Sequence, residues 1–199
     1  EKLKDAIENG AILVDTRPPP SFGAGHIKDS YNVNLSRLGM VGWVLPYDKP
    51  LVFILDEQQH LEDVIRGMSR IGYDNLAGYL PGTIVKWYLE AYKVETLDLM
   101  TVYDLKEKID AGEDWQVLDV RRVDEYASGH IKDSKNIYTG RVEKEHNEIS
   151  RDKPVAVICS SGNRSSFASS MLLRQGFTNV HNVLGGMTAW KKAVFPTEK

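Results

Sequence analysis

Cys159 is the only cysteine in the 199-residue chain. It closes the apolar run Val155-Ala156-Val157-Ile158 and opens a polar turn, Ser160-Ser161-Gly162-Asn163-Arg164, after which Ser165 and Ser166 begin a helical pattern. Free cysteines are usually buried and inert, so a thiol that ends an apolar strand can be plain core. The residues that follow it favour chemistry instead. Small residues let successive backbone N–H groups curl toward one point and make an anion cradle. Gly162 can supply a positive φ where the curl needs one. The helix behind the turn adds the positive end of its dipole, and Arg164 adds a fixed charge with forked donors. Each of these favours negative charge at the centre of the loop, and with it the nucleophilic thiolate form of a cysteine. An anionic substrate would be drawn to the same point. Ser165 is a candidate to hydrogen-bond the sulfur or the anion, with a helix N-cap as its plain alternative.

Such a loop needs a strand to deliver it and a helix to receive it, and the surrounding sequence supplies both. "VAVIC" at 155–159 is a continuous, β-branched run, the pattern of a strand buried on both faces. In "SSFASSMLLRQG", Phe167, Ala168, Met171 and Leu172 share one helical face, and Gly176 ends the helix. Upstream, "WQVLDV" reads as a strand ending at Asp119, residues 122–127 as a helical turn and "NIY" at 136–138 as a strand. Downstream, "VHNVLGG" reads as a strand and turn, and "MTAWKKA" as a last helix. Strands alternating with helices predict an α/β fold: a mostly parallel sheet covered by helices on both faces. Ligands of such sheets bind beyond the carboxyl ends of the strands, where Cys159 sits.

The chain is written twice. "DTRPPPSFGAGHIKDSYNV" from Asp15 and "DVRRVDEYASGHIKDSKNI" from Asp119 are offset by 104 residues. The same offset pairs Asp48-Lys49-Pro50 with Asp152-Lys153-Pro154, Arg70 with Arg174, Gly72 with Gly176, Asn75 with Asn179 and Gly82 with Gly186. A register kept this far without a gap is a duplication. It predicts two domains, 1–95 and 96–199, joined near "KVETLDLMT" at 93–101. Thr101 with Asp104 forms an N-cap pair for the helix "VYDLKEKIDA", which Gly112 ends. The matching helix of the first copy begins so close to residue 1 that its cap would precede the chain. That start, and an initial Glu in place of Met, suggest a piece of a longer polypeptide.

Asp119, Arg121 and Gly129-His130-Ile131 occur in both copies. They are therefore read as frame: Asp119 with Arg121 as a buried polar tie, Glu125 as a candidate third member, and His130 as a hydrogen-bonding structural histidine. Trp190 is read as core, and the stripe Trp87, Tyr88, Tyr92 as packing between the domains. Opposite the cysteine loop, "ILDEQQHLED" (54–63) sets Leu55 against Cys159, Gln58 against Gly162, His60 against Arg164 and Leu61 against Ser165. With no thiol, and with Asp56 and Glu57 to repel anions, the first domain is expected to be catalytically inert.

A net charge of −3 and a pI near 6.0 argue against a nucleic-acid surface, which calls for basic excess. No run of about 18 apolar residues is present to cross a membrane. One cysteine cannot form an internal disulfide, which fits a reducing, cytoplasmic setting. The five histidines are scattered without ligand spacing, so neither a metal nor a cofactor is expected in this chain.

The pattern Asp-x-Arg, Gly-His-Ile, Cys-x-x-Gly-x-Arg and a closing Gly-Gly-x-x-x-Trp at Gly185, Gly186 and Trp190 resembles the rhodanese family, and the first half resembles it too. The resemblance implies sulfurtransferase chemistry. Cys159 would take the outer sulfur of a sulfane donor such as thiosulfate, hold it as a persulfide, and yield it to a thiol or cyanide. Ser160, Ser161, Gly162, Asn163, Arg164 and Ser165 would hold the anionic donor. Related cysteine phosphatases and arsenate reductases carry a wider loop, whereas only four residues separate Cys159 from Arg164. The compact pair also resembles the tail of metallo-β-lactamase-fold hydrolases that carry rhodanese domains and handle persulfides, which makes such a domain the expected upstream partner. The alternative from another class is a docking or regulatory module with a passive cysteine.

Overall fold

Short aliphatic and β-branched runs form the strands of each half, and the amphipathic segments between them form the helices. The computed structural model describes residues 2–81 and 83–199, with the side chains of Lys2 and Gln58 also left aside. The pairing of Gly82 with Gly186 and the side chain of Gln58 thus lie outside the described residues. Two compact units result, Glu1–Thr96 and Leu97–Lys199.

The first unit runs α1 (Lys2–Glu8), β1 (Ile12–Asp15), α2 (Pro19–Ala24), β2 (Tyr31–Asn32), β3 (Leu51–Ile54), α3 (Leu61–Ser69), β4 (Leu76–Tyr79) and α4 (Thr83–Leu89). The second runs β5 (Asp98–Met100), α5 (Val102–Asp110), β6 (Gln116–Asp119), α6 (Val123–Ala127), β7 (Lys135–Asn136), α7 (Val142–Glu145), β8 (Val155–Ile158), α8 (Asn163–Arg174), β9 (Val180–Val183) and α9 (Gly186–Lys192). The sheets are ordered β2-β1-β3-β4 and β5-β9-β8-β6-β7. Every described strand pair is parallel. The α/β expectation holds for both units, with helices flanking each sheet.

Two details differ from the sequence expectation. The latter part of the 93–101 join is itself a strand: β5 pairs in parallel with β9, Asp98 against His181 and Met100 against Val183. Strand β7 lies at Lys135–Asn136, ahead of the apolar Ile137-Tyr138. Thr101 and Asp104 do cap α5 reciprocally, the Thr101 N–H donating to Asp104 Oδ2 at 2.6 Å and the Asp104 N–H to Thr101 Oγ1 at 3.2 Å.

The residues common to both copies build one frame twice. Arg121 donates through Nε and Nη2 to Asp119 (2.9 and 2.6 Å) and through Nη2 to the Gly129 carbonyl (3.0 Å). Arg17 does the same to Asp15 (2.9 and 2.6 Å) and Gly25 (2.7 Å). Asn136 then donates to the carbonyls of Asp119 and Arg121, and Asn32 to those of Asp15 and Arg17. All four members of the Asp–Arg pairs are buried, so losing one partner would strand a charge at a cost of about 3–5 kcal/mol. Both histidines are structural. His130 stacks on Tyr126 and His26 on Phe22, with centroids 3.8 and 3.9 Å apart. Each sets Nδ1 3.1 Å from the carbonyl of its stacking partner, which fixes the neutral ring's proton on Nδ1. The end of each unit returns to this corner, as backbone bridges join His26 to Glu95 and His130 to Glu198.

Burial pushes His26 down to about 4, because the charged imidazolium loses its water. The unfolded chain therefore binds the extra proton first as pH falls, and stability is lost between pH 6.5 and about 4. The loss from this group is expected to be on the order of 3 kcal/mol. Urea unfolding at pH 7 and pH 4.5 measures it. A His26→Gln variant, whatever its stability at pH 7, should lose less on acidification than the wild type does.

Two members of the aromatic stripe, Trp87 and Tyr92, pack within the first unit itself. Trp87 is buried in the first unit's own core with Leu13, Val52 and Ile54, and its Nε1 donates to the Lys93 carbonyl at 2.9 Å. Trp190 repeats this in the second unit, donating to Pro196 at 2.9 Å. Tyr92 packs on Trp87 as Phe195 packs on Trp190. The Tyr88 hydroxyl lies against Gly25, so a side chain at that position would have to displace it.

Candidate active site

Strand β8 is buried along its whole length between β6 and β9, and it delivers Cys159 just beyond its carboxyl end, 1% exposed. The chain must then turn sharply into α8. Gly162 makes that turn at φ +107, a conformation that side-chain-bearing residues avoid. As a result the Gly162 N–H points back at the sulfur, with N to Sγ at 3.1 Å. The loop thus aims an amide and the N-terminus of a twelve-residue helix at Cys159.

Ser165, fully buried in the first turn of α8, sets Oγ 3.4 Å from the sulfur and 2.6 Å from Asn182 Oδ1. Asn182 comes from the neighbouring strand β9, is fully buried, and donates through Nδ2 to the Gly162 carbonyl at 3.2 Å. That donation fixes the orientation of the amide, so Oδ1 must face Ser165. A hydroxyl has one proton. That proton can go to Asn182 Oδ1 or to the Cys159 sulfur, and the contact to Asn182 is the shorter of the two.

The remaining candidates separate into two groups. Ser160 and Arg164 belong to a polar cluster on the mouth of the loop. Arg164 Nη1 and Nη2 donate to the two oxygens of Glu125 at 2.6 and 2.7 Å, and Nη2 donates to Ser160 Oγ at 2.6 Å. The Ser160 hydroxyl in turn donates to Glu125 Oε1 at 3.0 Å. Ser161 is exposed and Asn163 half-buried at the first position of α8. They shape the loop's backbone, and the sulfur's side-chain and amide contacts come from Ser165 and Gly162.

Two corrections follow. Glu125 does not join the Asp119–Arg121 tie. It reaches from α6 to the cysteine loop, and hydrogen bonds from Arg164 hold its carboxyl down to about 2. Arg164, in turn, is not an open charge waiting for an anion, because its fork is occupied by a carboxylate.

The closing glycine pair was visible only as a motif, and its task is structural support of the loop. Gly185 and Gly186 take φ +75 and +51 and start α9 directly under the cysteine turn. The N–H groups of Met187 and Thr188 donate to the carbonyls of Cys159 and Ser160 at 2.7 and 2.9 Å. A Cβ on Gly186 would sit 2.7 Å from the Ser160 carbonyl carbon and closer still to the Cys159 oxygen.

In the first unit the equivalent position is held by Leu55. Asp15 pairs with Ile54 as Asp119 pairs with Ile158, so the two strands run in the same register and Leu55 follows as Cys159 does. Leu55 is 1% exposed. After it come exposed Asp56 and Glu57 and a single-turn 3-10 helix, Gln58–His60, and α3 begins only at Leu61. Ser165 is matched by Leu61, Asn182 by Gly78, Arg164 by His60 and Glu125 by Ser21. The partners of the sulfur and of the polar cluster beside it are replaced together.

Comparison with known proteins agrees with the duplicated frame. The rhodanese-like domain family matches residues 1–90 and again residues 101–193. The chain is 32% identical over 125 residues to the "Putative sulfur carrier protein YrkF" of Bacillus subtilis, covering 60% of this chain and 68% of that one. It is 35% identical over 81 residues to the thiosulfate sulfurtransferase GlpE of Pseudoalteromonas translucida, covering 41% of this chain and 77% of the relative. Among solved structures, a rhodanese-related protein of Thermoplasma volcanium is 36% identical, with 51% of this chain and 97% of that chain covered and a TM-score of 0.46. With one match in each half, covering nearly all of its length, the chain belongs to the rhodanese-like domain family.

Proposed function

We propose that the chain is a sulfurtransferase whose second unit moves sulfane sulfur through a persulfide on Cys159. The observation that carries this is the single thiol at the end of β8 with the Gly162 amide 3.1 Å from its sulfur and a helix N-terminus behind it. The Cys159 thiolate attacks the outer sulfur of thiosulfate. The new S–S bond forms as the old one breaks, and its electron pair leaves with sulfite. The terminal persulfide sulfur is then attacked by a thiol or by cyanide, which departs with that sulfur, and the Cys159 thiolate is restored. No electrons are left over in either step. The loop amides would stabilise the negative charge carried by the persulfide. The name of the Pseudoalteromonas translucida relative, a thiosulfate sulfurtransferase, supports the choice of donor.

The first unit, with Leu55 in place of the thiol, is proposed to be non-catalytic. The single free thiol supports a reducing, cytoplasmic setting. No helix among the described residues is long and apolar enough to cross a membrane. The likeness of the compact tandem pair to the tail of rhodanese-bearing hydrolases supports an upstream metallo-β-lactamase-fold domain in the same polypeptide. The full-length sequence tests that directly.

Intact-mass measurement tests the chemistry. After thiosulfate treatment and desalting, the reduced protein should gain about 32 Da, one sulfur, and lose it again on adding cyanide. Failure of the folded, reduced protein to take up sulfur overturns the proposal.

A further inference from the structure

Arg164 is the positive side chain within the cysteine loop, and it is already paired. Its fork is bound bidentate by Glu125, and Ser160 bridges the two. The next charges outward also cancel, since Arg122 donates to Asp124 at 2.7 Å and lies 3.9 Å from Glu125. Two guanidinium groups and two carboxylates thus surround the mouth with no net charge. Anion attraction is left to the loop amides and the α8 N-terminus, which together offer well under one full positive charge (about half from the helix). Such a site tolerates one negative charge on the reacting head better than two.

We infer that Glu125 is a specificity-determining residue that biases the loop toward sulfane donors whose reacting head carries at most one negative charge, such as thiosulfonates and thiol persulfides, over dianionic thiosulfate. This rests on the sulfur-transfer proposal above. The geometry gives the reason: the carboxylate holds Arg164 in place and at the same time cancels its field. Both copies agree that the pair is a unit, since the first unit has lost its two members together, with Ser21 and His60 in their places.

The test uses two donors of nearly the same shape, thiosulfate and methanethiosulfonate, in which a methyl group replaces one charged oxygen. Glu125→Gln keeps a carbonyl to accept from Arg164 and removes the negative charge. The ratio of kcat/KM for thiosulfate to that for methanethiosulfonate should rise about tenfold in this variant. Asp114→Asn makes the same charge change at an exposed ion pair, with Lys153 at 2.8 Å, ahead of β6 and so at the opposite end of the strands from Cys159, and should leave the ratio within about twofold of wild type. An unchanged ratio in Glu125→Gln, or an equal rise in Asp114→Asn, overturns the inference. Protection of Cys159 from iodoacetamide by sulfate against methanesulfonate reads the same preference without turnover. Absence of transfer from either donor would overturn the sulfur-transfer proposal alone, and the protection ratio would still decide the charge preference.

Discussion

Cys159→Ser is expected to abolish sulfur uptake and leave the fold intact. A serine oxygen can accept from the Gly162 amide as the sulfur does, and the exchange keeps the shape of a side chain that is 1% exposed. Stability should therefore move by only about 1 kcal/mol. Chemistry has no such tolerance. A hydroxyl is a far weaker nucleophile than a thiolate, and no base stands beside it, since Asn182 holds Ser165 and Glu125 is bound to Arg164. Turnover with any sulfane donor should fall by about a thousandfold or more. The measurement is the intact mass after donor treatment together with a urea midpoint for each protein. A serine variant that still gains sulfur at the wild-type rate would place the reacting group elsewhere.

Gly186→Ala, far from the reacting atoms in sequence, should disable the same loop by displacement. The added methyl would meet the backbone of Ser160 at 2.7–2.8 Å and crowd the Cys159 carbonyl. These are backbone atoms and cannot swing aside as a flexible side chain would. The two hydrogen bonds from Met187 and Thr188 to those carbonyls must then lengthen, and the alanine also inherits φ +51. Strain and lost bonds together should destabilise the second unit by about 3 kcal/mol. A shift of the sulfur by about 1 Å would lower turnover on the order of a hundredfold. Gly162→Ala is the instructive contrast. Its Cβ would have 3.7 Å to the nearest atoms, so only the φ of +107 resists it and a smaller loss is expected. Equal losses in the two variants would show that conformation, and not the close approach of α9, governs the loop.

Much of the fold could be read from residue order. The β-branched run 155–158 and the helical face of Phe167, Ala168, Met171 and Leu172 placed the strand, the loop and the helix, because burial on both faces leaves few other patterns. The duplication separated the frame residues Asp119, Arg121 and His130 from the loop. What escaped reading were partners joined only by the fold. Glu125 and Arg164 stand 39 residues apart, and no local periodicity links a helix on one side of a strand to a loop on the other. Asn182 looked like an ordinary strand residue in "VHNV". The first copy held a usable signal for both: Glu125 with Arg164, and Ser165 with Asn182, are replaced in pairs by Ser21 with His60 and Leu61 with Gly78. Trp87 is hidden for a smaller reason: it sits one residue out of the constant offset from Trp190, so the repeat does not pair the two tryptophans.

The pairing of β5 with β9 bears on how the second unit comes to be folded. The first strand of that sheet lies at Asp98–Met100 and its neighbour at Val180–Val183, so the contact spans most of the unit's length. Loop-closure entropy must be met before such a contact forms, and folding dominated by long-range contacts is slow. On a ribosome, which makes chain from the N-terminus, β5 emerges early and waits without its partner until almost the whole unit has been made. The bridge from His130 to Glu198 closes later still. The cysteine loop rests on α9, which follows β9 in sequence, so that loop is among the last features to assemble. A nascent chain halted before residue 180 would carry Cys159 as an unsupported thiol, without the α9 amides or Asn182 beside its loop.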